Sequence, residues 1–140
     1  MIKRNIVVVL MTILCIPTAF AQSAAYKLDG TCGEDTKWTF DGYTLTIQNV
    51  NKRGESVAIK DYDLNIQKAP WTKKKLNVKK VEIGANITRI GSCAFANCTE
   101  LQEVLFEGTD LTEIGWAAFI NCNRLRNKSK IGRASCRERV

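Results

Sequence analysis

The 140-residue sequence contains no histidine. That removes the usual general base, every Ser-His-Asp triad and all histidine-bearing metal sites. A phosphate-binding loop is absent too, since Gly30-x-x-Gly33 lacks both the lysine and the following apolar helix. None of the six cysteines forms a C-x2-C pair, so no zinc site can be read from their spacing. The apolar run Ile6–Ile16 is too short to span a bilayer. Two carboxylate pairs exist, Glu34-Asp35 and Asp61 with Asp63. A glycosidase would need such a pair in a cleft at a defined separation, and solvated turns are the simpler reading. No catalytic, cofactor-binding or metal-ligating residue is assigned, and no cofactor is expected.

The two ends explain most of the charge. Lys3 and Arg4, the apolar Ile6–Ile16, Pro17 and the small-x-small triplet Ala19-Phe20-Ala21 make a secretory signal peptide over residues 1–21, cleaved after Ala21. At the other end, Ile131–Val140, IGRASCRERV, resembles the translation of a standard short-read sequencing adapter. The expectation is a reading frame cut inside a longer array, with residues 127–140 a disordered tail. Of the formal net charge of +7, the signal peptide carries +2 and the adapter-like segment another +2. The remaining +3 on residues 22–130 is an ordinary surface and makes no case for nucleic acid. Four cysteines are left: Cys32, Cys93, Cys98 and Cys122.

What the chain does contain is a repeat. Ile87–Leu101, ITRIGSCAFANCTEL, recurs as Leu111–Leu125, LTEIGWAAFINCNRL, 24 positions later. A period in the twenties marks a solenoid, which displays an extended surface and builds no catalytic pocket by default. Val81 and Ile83 recur as Val104 and Phe106 at a shift of 23, so one residue is inserted around Gly108–Asp110, in a turn. The expected core is Val81, Ile83, Ile87, Ile90, Ala94, Phe95, Cys98 and Leu101 in one unit. Its counterpart is Val104, Phe106, Leu111, Ile114, Ala118, Phe119, Cys122 and Leu125 in the next. Alternation makes the first positions short strands, and the Ala-Phe-x-x-Cys spacing suits one helical turn packed on them. Gly91 and Gly115 sit where the chain must bend, and each copy's Phe should lie over its neighbour's.

Residues 22–75 read as a β-rich N-terminal cap. Asp41-Gly42 is a two-residue hairpin signal between Lys37–Phe40 and Tyr43–Ile47. This puts Trp38 and Phe40 in one cluster with Tyr43, Leu45 and Ile47. Val57–Ile66 holds a further short strand, and Pro70 ends the unit by breaking the ladder. The fold class is therefore a β-rich α/β solenoid: a β-hairpin cap, then about two repeat units over residues 76–126 with short helical turns.

The unit resembles the BspA-like class of leucine-rich repeats, on Val78, Val81, Ile83, Ile87, Ile90, Gly91, Ala94, Phe95, Cys98 and Leu101 and their second copy. Gly30-Thr31-Cys32-Gly33, Trp38-Thr39-Phe40, Gly42–Ile47 and Ala69-Pro70-Trp71 resemble the cap that precedes such arrays in secreted bacterial members. Gly84 replaces the customary proline after the strand. The resemblance implies a non-enzymatic secreted or cell-surface protein that attaches to host proteins, matrix or other cells, with a protein or matrix partner, no nucleic acid and no membrane insertion after signal cleavage. An alternative from another class is the recognition module of a longer secreted hydrolase; a third is an architectural stalk.

Candidate binding residues follow from outward alternation: Glu82, Glu103 and Leu105, with Trp116, which replaces Ser92 of the first copy. Trp116 is either an exposed binding aromatic or a cover for the neighbouring rung. Cys98 and Cys122 are either buried thiols or a stacked disulfide, and Cys93 falls on the outward side. Lys73-Lys74-Lys75 with Lys79 and Lys80 is either a soluble flank or a surface for an anionic partner. Two rungs fall short of the roughly three needed for stability, so self-association through an uncapped last rung is expected.

Overall fold

The computed structural model describes residues 28–126. The signal peptide with its cleavage point and the tail 127–140 lie outside the described residues. The chain opens with three antiparallel strands: β1 Leu28–Gly33, β2 Thr36–Phe40 and β3 Thr44–Asn49. The register sets Trp38 opposite Ile47 and Phe40 opposite Leu45, and all four are buried. Residues 41–44 form the turn, in which Asp41 Oδ1 accepts the Tyr43 and Thr44 N–H groups at 2.9 and 2.7 Å. Gly42 supplies the positive φ of +100°. Tyr43 therefore leaves the strand and is 50% exposed, a correction to the five-residue cluster.

From β3 onward the pairing becomes parallel. β5 Lys80–Ile83 lies beside β3, and β7 Glu103–Phe106 beside β5, so the first sheet runs β1-β2-β3-β5-β7. A second sheet joins β4 Val57–Ala58, β6 Ile87–Ile90 and β8 Glu113–Ile114, also in parallel. Lys80 faces Glu103, a shift of 23, whereas Ile90 faces Ile114, a shift of 24. The extra residue sits between these strands, as the sequence spacing requires. Inward alternation buries Leu45, Ile47, Val81, Ile83 and Val104 from the first sheet against Ile87 and Ile90 of the second. Phe106, Leu111, Ile114 and Phe119 of the last unit are half-buried and pack against that core. The result is a β-rich fold with few helices.

The segments after β6 and β8 are not helical, contrary to the expected helical turns. The N–H groups of Ala94, Ala96 and Cys98 bond back three residues, to Gly91, Cys93 and Phe95. The intervening N–H groups of Cys93, Phe95 and Asn97 instead reach across to Trp116, Ala118 and Ile120 at 2.8–2.9 Å. Alternate amides thus serve the local turn and the neighbouring unit, which leaves none for an i→i−4 ladder. Cys93 and Asn97, like Ala117 and Asn121, adopt the left-handed region (φ +51° to +61°), which interrupts any right-handed helix. Among the described residues the helix is α1 Pro70–Lys73, with Pro70 at its start, where a missing N–H costs nothing. Pro70 opens this helix and so places Trp71 in the core, instead of ending the unit as ladder-breaking alone predicts.

Trp71, Phe95 and Phe119 make one aromatic column. Trp71 stacks on Phe95 at 5.4 Å and 17°, and Phe95 on Phe119 at 5.2 Å and 13°. Trp38 and Tyr62 meet the Trp71 ring edge-on at 6.1 and 6.0 Å. The Trp71 indole N–H donates to the Ala94 carbonyl at 2.9 Å, joining the first part of the chain to the first repeat.

Candidate functional site

Three of the four candidate binding residues share one face of the first sheet. Glu82 pairs in register with Leu105, and Glu103 with Lys80. Glu103 is exposed, while Glu82 and Leu105 are half-buried. Lys80 Nζ lies 2.8 Å from Glu82 Oε1, so that carboxylate is already neutralised within its own strand. The structure does not bring Trp116 to this row, because Trp116 follows β8 of the second sheet. Its side chain is 69% exposed while its carbonyl is held by the Cys93 N–H at 2.9 Å. Ile120, four residues on, is also exposed, where the first repeat has the buried Ala96.

Polar side chains repeat across neighbouring units as regularly as the core does. Arg89 bridges Asp61 at 2.8 Å and Glu113 at 2.9 Å. Arg124 reaches Glu100 at 2.6 Å, and Asn121 donates to Asn97 at 2.7 Å. The Arg89 guanidinium and the Ser92 N–H hold the Asp61 carboxyl below the usual range. Asp63 is held low as well, because it accepts the N–H groups of Gln67, Asn65 and Ile66. A general acid requires the opposite shift, and both carboxylates are already engaged, Asp61 by Arg89 and the Ser92 N–H and Asp63 by its own turn. The Asp63 turn also leaves Ile66 91% exposed, a feature that no periodicity in the sequence marks.

Cys32, Cys93, Cys98 and Cys122 are thiols rather than halves of disulfides. Cys93 is buried rather than outward, because its left-handed turn folds the side chain in and its Sγ faces the Trp116 carbonyl at 3.9 Å. Burial pushes the Cys32 and Cys98 thiols up to about 12. Their protons are therefore bound more tightly in the folded than in the unfolded state. The associated stability is complete below pH 9 and is lost as pH rises from there towards 12. Iodoacetamide at pH 8 should leave both residues unmodified in the folded chain and alkylate both in denaturant. Mass spectrometry with and without guanidinium checks this, and equal labelling in both states would contradict the burial. Among the described residues no group of three or more His, Cys, Asp or Glu could hold a metal ion, and no helix is long and apolar enough to cross a membrane.

Parallel units with register shifts of 23 and 24, a shared aromatic column and regular polar bridges define a repeat class. Residues 65–132, just under half of the chain, match the family described as BspA type Leucine rich repeat region (6 copies), and the chain is similar to that family there. Among solved structures, the chain is similar to a leucine-rich repeat protein from Eubacterium ventriosum ATCC 27560, with a TM-score of 0.55 and 26% identity, over 68% of this chain and 24% of that one. It also matches a leucine rich cell surface protein from Faecalibacterium prausnitzii A2-165, with a TM-score of 0.40 and 23% identity, over 70% and 29% of the two chains. The chain thus spans about a quarter of the length of these structures. No curated protein matches it.

Proposed function

We propose that the chain is a non-enzymatic recognition module, part of a secreted or cell-surface leucine-rich repeat solenoid, that binds a protein partner through Trp116. The supporting observation is the exposure of this one indole on a backbone fixed by its neighbour. The Trp116 backbone is already ordered by the Cys93 N–H, so binding has only the exposed side chain's rotamers to fix. Ile120, exposed four residues on, adds a second apolar side chain to the same segment, and Glu82, Glu103 and Leu105 form a separate row on the first sheet, available to a partner that wraps the edge. The signal peptide directs the chain across a membrane, and cleavage after Ala21 releases it.

Surface plasmon resonance of the whole chain on immobilised collagen, laminin and mucin tests the proposal. Binding to at least one of these is expected, with Trp116→Ala weakening it at least tenfold, which is about 1.4 kcal/mol. The melting temperature should not change, since the side chain covers little of the fold. No binding to any of the three, or binding indifferent to Trp116→Ala, contradicts the proposal.

A further inference from the structure

We infer a second binding surface, distinct from Trp116, for a polyanionic polysaccharide: sulfated or carboxylated, lying along the flank where each unit re-enters the first sheet. The inference rests on how charge is distributed over the fold. Residues 28–126 hold thirteen lysines and arginines and thirteen acids, so the described body is neutral. Six of those cations nevertheless fall between Lys68 and Lys80, with no acid among them. Lys73, Lys74 and Lys75 are exposed at the end of α1, and the left-handed Lys75 turns the chain towards β5. Among the described residues none of these three has an ion-pair partner within 4.0 Å.

The fold continues this cluster into a built row. The Lys79 N–H bonds to the Tyr43 carbonyl at 3.1 Å, the Gln102 N–H to the Lys79 carbonyl at 2.8 Å, and the Arg126 N–H to the Gln102 carbonyl at 3.0 Å. Tyr43, Lys79, Gln102 and Arg126 therefore stand on four successive levels, about 4.8 Å apart. Their side chains, with Lys80 and Glu103, line an open groove of about 220 Å³. Lys79 and Arg126 sit two levels apart, about 10 Å, with the neutral Gln102 amide between them. Lys79 Nζ lies over the Tyr43 ring at 5.6 Å, which fixes the ammonium at the groove's head.

This arrangement selects among anions. Lys79 and Arg126 flank the neutral Gln102 amide, with Glu103 and the Glu82-paired Lys80 at the groove's side, and a second open groove beside Lys75 adds Thr72, Asn77 and Thr99, its one acid, Glu100, being paired with Arg124. A polymer that carries hydroxyls as well as anionic groups satisfies both kinds of side chain. An acidic peptide would be anchored by apolar side chains in pockets, and neither groove is closed enough to hold one. Single-stranded nucleic acid needs stacking platforms, and here the Tyr43 ring already carries Lys79.

The test is binding of the whole chain to dextran sulfate and to polygalacturonate by isothermal titration calorimetry at several salt concentrations. Polyglutamate, single-stranded DNA and phosphatidylserine vesicles are run in parallel. At least one of the two polysaccharides should bind more tightly than all three of the others. The triple variant Lys73→Gln/Lys74→Gln/Lys75→Gln should lose at least tenfold in affinity, and the slope of log K against log salt should become shallower by two to three. Lys79→Gln/Arg126→Gln should lose at least fivefold. The triple Lys→Arg variant should retain binding. The remote variant Lys37→Gln/Lys52→Gln/Arg53→Gln, with the same charge change, should stay within twofold. Equal losses in the remote and flank variants, or tighter binding to polyglutamate, DNA or vesicles, overturn the inference. Trp116→Ala should leave polysaccharide binding unchanged, so failure here and failure of the protein-recognition proposal are separable.

Discussion

Gly91→Ala is expected to destabilise the fold by about 3 kcal/mol or more, enough to abolish a cooperative transition in a body of this size. The cause is backbone proximity. A Cβ on Gly91 would overlap the Lys60 carbonyl and lie 2.7 Å from the Ile59 oxygen, closer than real Cβ atoms come. Those atoms belong to the segment after β4, which the Ile59 N–H ties to the Arg89 carbonyl at 2.9 Å, so they cannot retreat without breaking the stack. Gly115 meets the same limit one level further on, where a Cβ would overlap the Ser92 nitrogen and lie 2.7 Å from the Gly91 carbonyl carbon. Gly54 provides the control. It has positive φ but open space around it, so Gly54→Ala should cost only about 1 kcal/mol from its left-handed backbone. Urea denaturation of the three variants distinguishes the cases. Similar small losses in all three would mean that the units are not packed as closely as the fold requires.

Phe95→Ala is the second large effect, expected to cost about 3–5 kcal/mol. Phe95 is fully buried and is sandwiched between Trp71 and Phe119. Truncation removes its own burial and opens a cavity that rigid backbone on both sides cannot close. It also ends both stacking contacts, each about 0.5–1.5 kcal/mol beyond area burial. Phe119→Ala removes only one of those contacts from a half-buried ring, so it should cost clearly less. A loss for Phe119→Ala equal to that for Phe95→Ala would contradict a column with Phe95 at its centre. Chemical denaturation with an unchanged m-value is the measurement.

Much of this architecture can be read from the sequence because its period is coded at both core and surface. The repeat, 23 residues from β5 to β7 and 24 from β6 to β8, gives these strands, the phenylalanine stacking and the site of the inserted residue. The same register extends back to Trp71, 24 residues before Phe95, but there the flanking pattern has changed to Ala69-Pro70 and the repeat no longer shows as one. The turn segments resisted reading for a different reason. Ala-Phe-x-x-Cys spacing fits a helix as well as it fits successive three-residue turns, and cross-unit hydrogen bonds decide between them. β1 carries Gly30, Gly33 and Asp29, a composition poor in strand formers, and it is a strand because β2 supplies its ladder. A two-residue loop would keep Tyr43 in the sheet, but Asp41 organises a turn of four residues. On the surface, Glu82, Glu103 and Leu105 lie on one face of the first sheet through the β5–β7 register. The Tyr43–Lys79–Gln102–Arg126 row could not be seen from spacing alone, since its first member belongs to no repeat.

The most direct test of the whole account is a nuclear Overhauser spectrum of the aromatic side chains. Cross-peaks from the Phe95 ring to both the Trp71 indole and the Phe119 ring are expected, with Tyr62 and Trp38 contacting Trp71 alone. A spectrum in which Phe95 sees one of its two neighbours but not the other, or neither, would show that the repeats do not lie over one another on a common axis.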